Sequence, residues 1–220
     1  MRIVGGRFGG HRLAAPGAAG GGTAHLRPTA DRVREALFNL LAHGGYADPP
    51  APEGCRVLDL FAGAGTLGLE ALSRGAVAAV FVDDHGPSRA LIGRSVDALG
   101  LAGCTKIWRR DACRLGPCRG APFDLVFADP PYDRPEAAGR ALASAADGGW
   151  LAPGALVVVE AAAAAPAILP DWLAALDSRR YGETRIAILR APGDAGAAAT
   201  GTEGAADAPA DDTHGRGDAA

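Results

Sequence analysis

Lysine is almost missing from this chain: Lys106 is the only one, and arginine carries the rest of the positive charge. With the surfeit of alanine, this reflects codon bias and carries no function. Cysteine is scarce too, four in 220 residues, which excludes a disulfide scaffold. No CxxC pair occurs, and Cys113 and Cys118 lie five apart without nearby histidines, so no metal site is expected. His11, His25, His43 and His214 form no cluster, and His85 reads as a surface residue at a helix start. Long apolar runs are absent as well. The most apolar late stretch, Ala155 to Leu169, is too short to span a membrane and contains Glu160 and Pro166. No apolar run follows Met1-Arg2-Ile3-Val4-Gly5-Gly6, so no signal peptide is expected. These absences predict a cytoplasmic protein with no membrane contact.

What is present suits one α/β domain with a packed core: 48% hydrophobic and 21% charged residues. The net charge of −3 hides a segregation. From Ala191 onward six acids face only Arg216, a local −5 that leaves the rest of the chain at +2. Residues 1–40 hold six arginines against Asp31 and Glu35, a local +4. Arginines near phosphates release counterions, so such a patch suits a polyanionic partner. It equally suits a solvated surface, and charge alone does not choose.

Three regions are expected. Residues 1–45 read as a small β-hairpin, a Gly/Ala loop at 17–24, and a helix opened by Thr29 with the apolar stripe Val33, Leu37, Leu40 and Leu41. Arg32, Arg34 and Glu35 are assigned to the opposite, polar side. From residue 54 to 190, strands alternate with helices, the signature of a mainly parallel sheet with helices on both faces. Strands are expected at Arg56–Phe61, Val77–Val82, Thr105–Arg109, Phe123–Ala128 and Ala155–Glu160, with a terminal pair between Arg179 and Leu189. Helices are expected at Thr66–Arg74, Ser88–Leu99 and Glu136–Ala146. Residues 191–220 are Ala, Gly, Asp and Thr with almost nothing to bury, and are expected to be a disordered acidic tail.

Two motifs carry chemistry. Gly63-Ala64-Gly65-Thr66-Leu67-Gly68 fits GxGxxG between a strand and a helix, and Asp83 stands twenty residues beyond Gly63 at the end of the next strand. This is the pattern of a nucleotide-cofactor site: glycines for a tight turn and close approach, an acid for ribose hydroxyls. A dinucleotide would place a pyrophosphate over the helix start. S-adenosylmethionine instead needs an acid for its ammonium group, and Asp59 suits that, although a strand acid can also cap the loop backbone. The second motif weighs more. Phe123–Ala128 ends in Asp129-Pro130-Pro131-Tyr132, where ligands of open α/β sheets bind. The Asp129 carboxylate and Pro130 carbonyl can accept both N–H bonds of a nucleobase amino group, stabilising charge as its nitrogen is methylated. Pro131 stiffens the turn, and Tyr132 offers a stacking face.

With Asp59-Leu60-Phe61-Ala62-Gly63-Ala64-Gly65, this ledge resembles the amino-methylating class I methyltransferases. Arg2-Ile3-Val4-Gly5-Gly6-Arg7-Phe8-Gly9-Gly10 and Leu26 to Asn39 (LRPTADRVREALFN) narrow the resemblance to the RsmD family, over residues 1–190. Gly68 to Gly75 and Gly148-Gly149-Trp150-Leu151 fall in the same order. The resemblance implies methyl transfer from S-adenosyl-L-methionine to guanine N2 in 16S rRNA, within a small-subunit assembly particle and with no obligate protein partner. It implies that Phe61, Gly63 and Gly65 line the cofactor, Asp83 (or Asp84) holds the ribose, and Asp111 with Ala112 meets the adenine. Thr29 or Arg32 would reach its methionine end. Arg2, Arg7, Arg12 and Arg34 are expected to contact RNA phosphates. The competing readings are a nucleic-acid adenine-N6 methyltransferase on the same ledge, and a non-catalytic RNA-binding assembly factor.

Overall fold

The computed structural model describes residues 1–15 and 31–193. Thr29, the Gly/Ala loop at 17–24 and nearly all of the acidic tail lie outside the described residues.

Seven strands form one sheet: β1 (Arg56–Leu60), β2 (Ala78–Val82), β3 (Thr105–Trp108), β4 (Phe123–Ala128), β5 (Leu151–Ala162), β6 (Ala174–Tyr181) and β7 (Thr184–Arg190). Their order is β3-β2-β1-β4-β5-β7-β6, with β7 antiparallel to both of its neighbours and the first five strands parallel. Four helices accompany them: α1 (Asp31–His43), α2 (Thr66–Ser73), α3 (Gly86–Ala98) and α4 (Ala137–Asp147).

Strand alternation explains the layers. On one face Val57, Leu125, Phe127 and Val158 pack with Leu37 and Phe38 of α1, Leu69 and Leu72 of α2, and Ile92 and Val96 of α3. On the other, Leu58, Leu60, Val126 and Val157 meet Ala138, Ala141 and Leu142 of α4. Trp150 closes that second layer, fully buried, stacked on Phe123 and donating from Nε1 to the Gly116 carbonyl at 2.7 Å.

The lead-in belongs to the first layer. Ile3 and Leu13 are buried in the same cluster as the β1 and β4 side chains. The expected hairpin is reduced to one antiparallel bridge, Arg2 with Arg12, around a 3-10 turn at Gly6–Phe8. Two corrections concern strand extents. β5 begins at Leu151, four residues before Ala155, and the extra length is absorbed by a register shift opposite Phe123 and Leu125. β6 begins at Ala174, where AALDSRR lacks β-branched residues because this edge strand is mostly exposed.

A third correction concerns Arg34. Counted with the polar side of α1 and with the RNA contacts, it is instead 0% exposed and shares the inner stripe with Leu37, Phe38 and Leu41. Its guanidinium donates to Asp31 at 2.9 Å and lies 3.5 Å from Glu70, a fully buried carboxylate on α2. Glu70 also pairs with Arg74 at 2.7 Å and accepts the backbone N–H groups of Val4 and Gly5, both at 2.8 Å. Arg34 therefore helps anchor the lead-in to the sheet's first layer and presents nothing to a solvent-borne phosphate.

Candidate functional site

β1 has β2 on one side and β4 on the other, so the strand order reverses between β1 and β4. Crossovers leave this reversal in opposite directions, opening a crevice at the carboxyl ends of the strands. Both sequence motifs sit there.

The glycine loop leaves β1 at Phe61, the one described non-glycine residue with positive φ, at 60°. A bulky residue in this left-handed region is strained, and such strain gathers at ligand clamps. Gly63 (φ 56°) and Gly65 (φ 75°) continue the turn, and Gly65 caps α2. Gly68 serves packing: a Cβ there would stand 2.4 Å from the Phe81 ring. Two carboxyls hold the loop from beneath. Asp59 Oδ2 accepts the Gly68 N–H at 2.9 Å, satisfying a free donor of the α2 first turn. Asp83 accepts the Gly63 N–H at 2.7 Å through Oδ2 and the His85 N–H at 2.8 Å through Oδ1.

Their electrostatics differ. Asp59 is 2% exposed, and burial pushes its carboxyl up to about 8, against the Gly68 N–H and with help from the Asp83 charge. Asp83 is also raised by burial, but its two backbone N–H donors oppose the shift. Asp84 is exposed, and Asp111, also exposed, caps a short 3-10 turn by accepting the Cys113 N–H at 2.8 Å, with Ala112 buried behind it. Arg32 is exposed on α1.

The ledge follows β4. Burial drives the Asp129 carboxyl well up, and the neighbouring Glu160 and Asp59 charges drive it further. Pro130 is buried and Pro131 exposed. Tyr132 is half-buried, and its hydroxyl donates to Glu160 Oε1 at 2.9 Å and lies 3.1 Å from Thr184 Oγ1. Burial, more than the Glu160 charge, carries the phenol up to about 12. Pro130, Tyr132, Arg134 and Glu160 line a shallow cleft beside the ledge. A larger hollow of about 480 Å³ lies between α4 and the turn after β3, lined by Cys113, Arg140, Ser144 and Gly148. It includes no residue of the glycine loop or the ledge.

Glu160 and Thr184 are the residues that sequence reasoning missed. The signal for Glu160 was present: like Asp59 and Asp129 it is an acid at the carboxyl end of an apolar strand, after Val157-Val158-Val159. Of the expected RNA contacts, Arg2, Arg7 and Arg12 are exposed, with Arg2 paired to Asp31 at 2.9 Å.

A parallel sheet ending in one antiparallel hairpin, a glycine loop over a buried acid, and an Asp-Pro-Pro-Tyr ledge across the crevice define a Rossmann-like methyltransferase. The comparisons agree. The model of the family described as Conserved hypothetical protein 95 matches residues 1–190, and the chain belongs to that family, the RsmD family. It is 40% identical over 161 residues to Ribosomal RNA small subunit methyltransferase D of Escherichia coli K12, covering 73% of this chain and 74% of that one. Against the protein of the same name from Haemophilus influenzae, identity is 33% over 174 residues, covering 78% and 83%. Among solved structures, the Escherichia coli protein yhhF, described as a methyltransferase, superposes with a TM-score of 0.68 at 31% identity, over 88% of this chain and 99% of that one.

Proposed function

We propose that the protein methylates the exocyclic N2 amino group of a guanine in 16S rRNA, using S-adenosyl-L-methionine, on a small-subunit assembly particle in the cytoplasm. One observation carries the reading: a cation-seeking loop and an N–H-accepting ledge face the same strand-order reversal. The named small-subunit rRNA relatives support the choice of RNA.

The residues present fit the cofactor. Asp59 is a buried carboxyl with no ion-paired arginine or lysine among the described residues, held near 8 by burial, and a ligand ammonium group would restore its charge. The left-handed turns at Gly63 and Gly65, which carry no side chain, let main chain approach a ligand closely. Asp83 fixes that loop and keeps lone pairs for ribose hydroxyls, while Asp111 and Ala112 stand at the end of β3 for the adenine. When bound, S-adenosyl-L-methionine supplies a methyl group on a positively charged sulfur.

The ledge does the rest. A guanine amino group has its lone pair drawn into the ring, so the nitrogen must rehybridise as it bonds to carbon and gathers positive charge. The Asp129 carboxylate and the Pro130 carbonyl accept its two N–H bonds and stabilise that charge as it develops. Burial makes Asp129 a stronger base than an exposed carboxylate, so it can take the proton that the new secondary amine sheds. Tyr132 holds the unstacked base by its ring face.

The test incubates the protein with labelled S-adenosyl-L-methionine and separate rRNAs, followed by mass analysis of the modified nucleoside. N2-methylguanosine from 16S rRNA is expected; N6-methyladenosine, or no product from any rRNA or assembly particle, overturns the assignment. Asp129→Ala should lower turnover by orders of magnitude while leaving cofactor affinity within a few-fold.

A further inference from the structure

We propose that Glu160 and Thr184 are positioning residues that lock the ring of Tyr132 in place for the incoming base; this rests on the base-methylating reading above. Tyr132 follows two prolines in a loop and is only half-buried, so the direction of its ring depends on what holds its far end as well as on packing. A stacking platform that swings does not align an amino group with a methyl donor, and small misplacements at a reacting centre are costly. The hydroxyl supplies a restraint at the far end of the ring. It is gripped by an acceptor from β5, Glu160 Oε1 at 2.9 Å, and by a hydroxyl from β7, Thr184 Oγ1 at 3.1 Å. These two strands are themselves zipped together, with Glu160 opposite Ile186 and Ala162 opposite Thr184. Glu160 is 6% exposed and follows the apolar run Val157-Val158-Val159 within β5. An acid tolerated there beside the Asp129 carboxyl has to serve a purpose, and holding the phenol of the ledge is one that the geometry shows. The antiparallel end of the sheet thereby enters the site through the tip of its last strand.

The test compares Glu160→Ala, Glu160→Gln, Tyr132→Phe and the double variant Tyr132→Phe/Glu160→Ala. The first readout needs no substrate: ring-carbon NMR of tyrosine-labelled protein, in which Tyr132 is one of three tyrosines. The Tyr132 ring should occupy one rotamer in the wild type, average over several in Glu160→Ala, and recover in Glu160→Gln, whose amide oxygen still accepts the bond. The second readout is methyl transfer. Glu160→Ala and Tyr132→Phe should each lower kcat/KM for RNA roughly 10- to 100-fold, with cofactor affinity unchanged. Glu160→Gln should restore most of it, and the double variant should lose no more than the worse single, since both delete one restraint. A Tyr132 ring as ordered in Glu160→Ala as in the wild type overturns the proposal, as do additive losses in the double variant. An ordered ring in a wild type that methylates no RNA counts against the functional reading alone, because the latch itself is then seen.

Discussion

The acid at the lead-in junction and the acids at the crevice have been treated in opposite ways. Glu70, at the junction with the lead-in, is wrapped by two guanidinium groups and two backbone N–H donors. Asp59 and Asp129, at the crevice, have no cation paired to them among the described residues, and the Asp59 charge helps to raise the proton affinity of Asp129. Burying a charge is costly, and a fold built only for stability neutralises it, as it does at Glu70. Leaving carboxyls unneutralised away from water makes sense where something else will arrive to use them. The difference separates an anchor from a site more cleanly than charge counts along the chain do.

The comparison can be broken by mutation, and the largest effect is expected at the anchor. Glu70→Ala takes from buried Arg34 the buried one of its two carboxylates, leaving Asp31, and frees the backbone of Val4 and Gly5. Removing one partner of such a pair costs about 3–5 kcal/mol, so thermal unfolding should show a much earlier midpoint. If the midpoint stays put, the lead-in is not held as described.

The next effect is a pH dependence at Asp59. Its carboxyl is raised from 3.8 to about 8, so the folded state binds a proton that the unfolded chain has already released. Its contribution to stability therefore falls as pH rises from about 4 to about 8, then levels off, by an amount on the order of a few kcal/mol. Asp59→Asn, which keeps an acceptor for Gly68, should flatten that fall in denaturant titrations at stepped pH. The same carboxyl must ionise to meet an ammonium group, so cofactor binding should tighten from pH 6 to pH 8 in the wild type and lose that slope in Asp59→Asn. Calorimetry at several pH values reads this directly, and parallel slopes for the two proteins would remove Asp59 from the binding site.

The smallest effect belongs to the exposed arginines. Arg2→Ala, Arg7→Ala and Arg12→Ala together should change stability by only about 1 kcal/mol or less, since their one ion pair among the described residues, Arg2 with Asp31, is at the surface. They should flatten the dependence of RNA affinity on salt by roughly one unit of logarithmic slope for each phosphate left without its arginine. An unchanged slope would place the RNA elsewhere on the surface.

Most of the framework was legible because its signals are local. RVLDLF, AAVFV and FDLVFA are apolar runs of strand length followed by turn chemistry, and β1, β2 and β4 fall within a residue of where those runs lie. The glycine loop and the ledge were legible because each compresses its chemistry into a few consecutive residues. What failed depends on distant partners. Arg34 falls at i, i+3, i+4, i+7 with Leu37, Phe38 and Leu41, but an arginine in that stripe reads as solvated until Glu70 is seen across from it. Thr184 carries no signal of its own; only the sheet order brings it to Tyr132. β6 was half-missed because an exposed edge strand has no buried face to write into its sequence.

The sheet order also fixes when the site can be finished. β7 lies between β5 and β6, yet it is made after both. As the chain leaves the ribosome, the glycine loop and Asp129 emerge before β6, but β6 lacks its partner in the sheet, β7, until that strand has been made. The last two strands therefore add to the sheet together, as a hairpin, and only then does Thr184 reach the Tyr132 hydroxyl. A nascent chain that stops short of β7 carries both motifs and still lacks a completed ledge, so the order of synthesis keeps the ledge unfinished until nearly the whole described chain has been made.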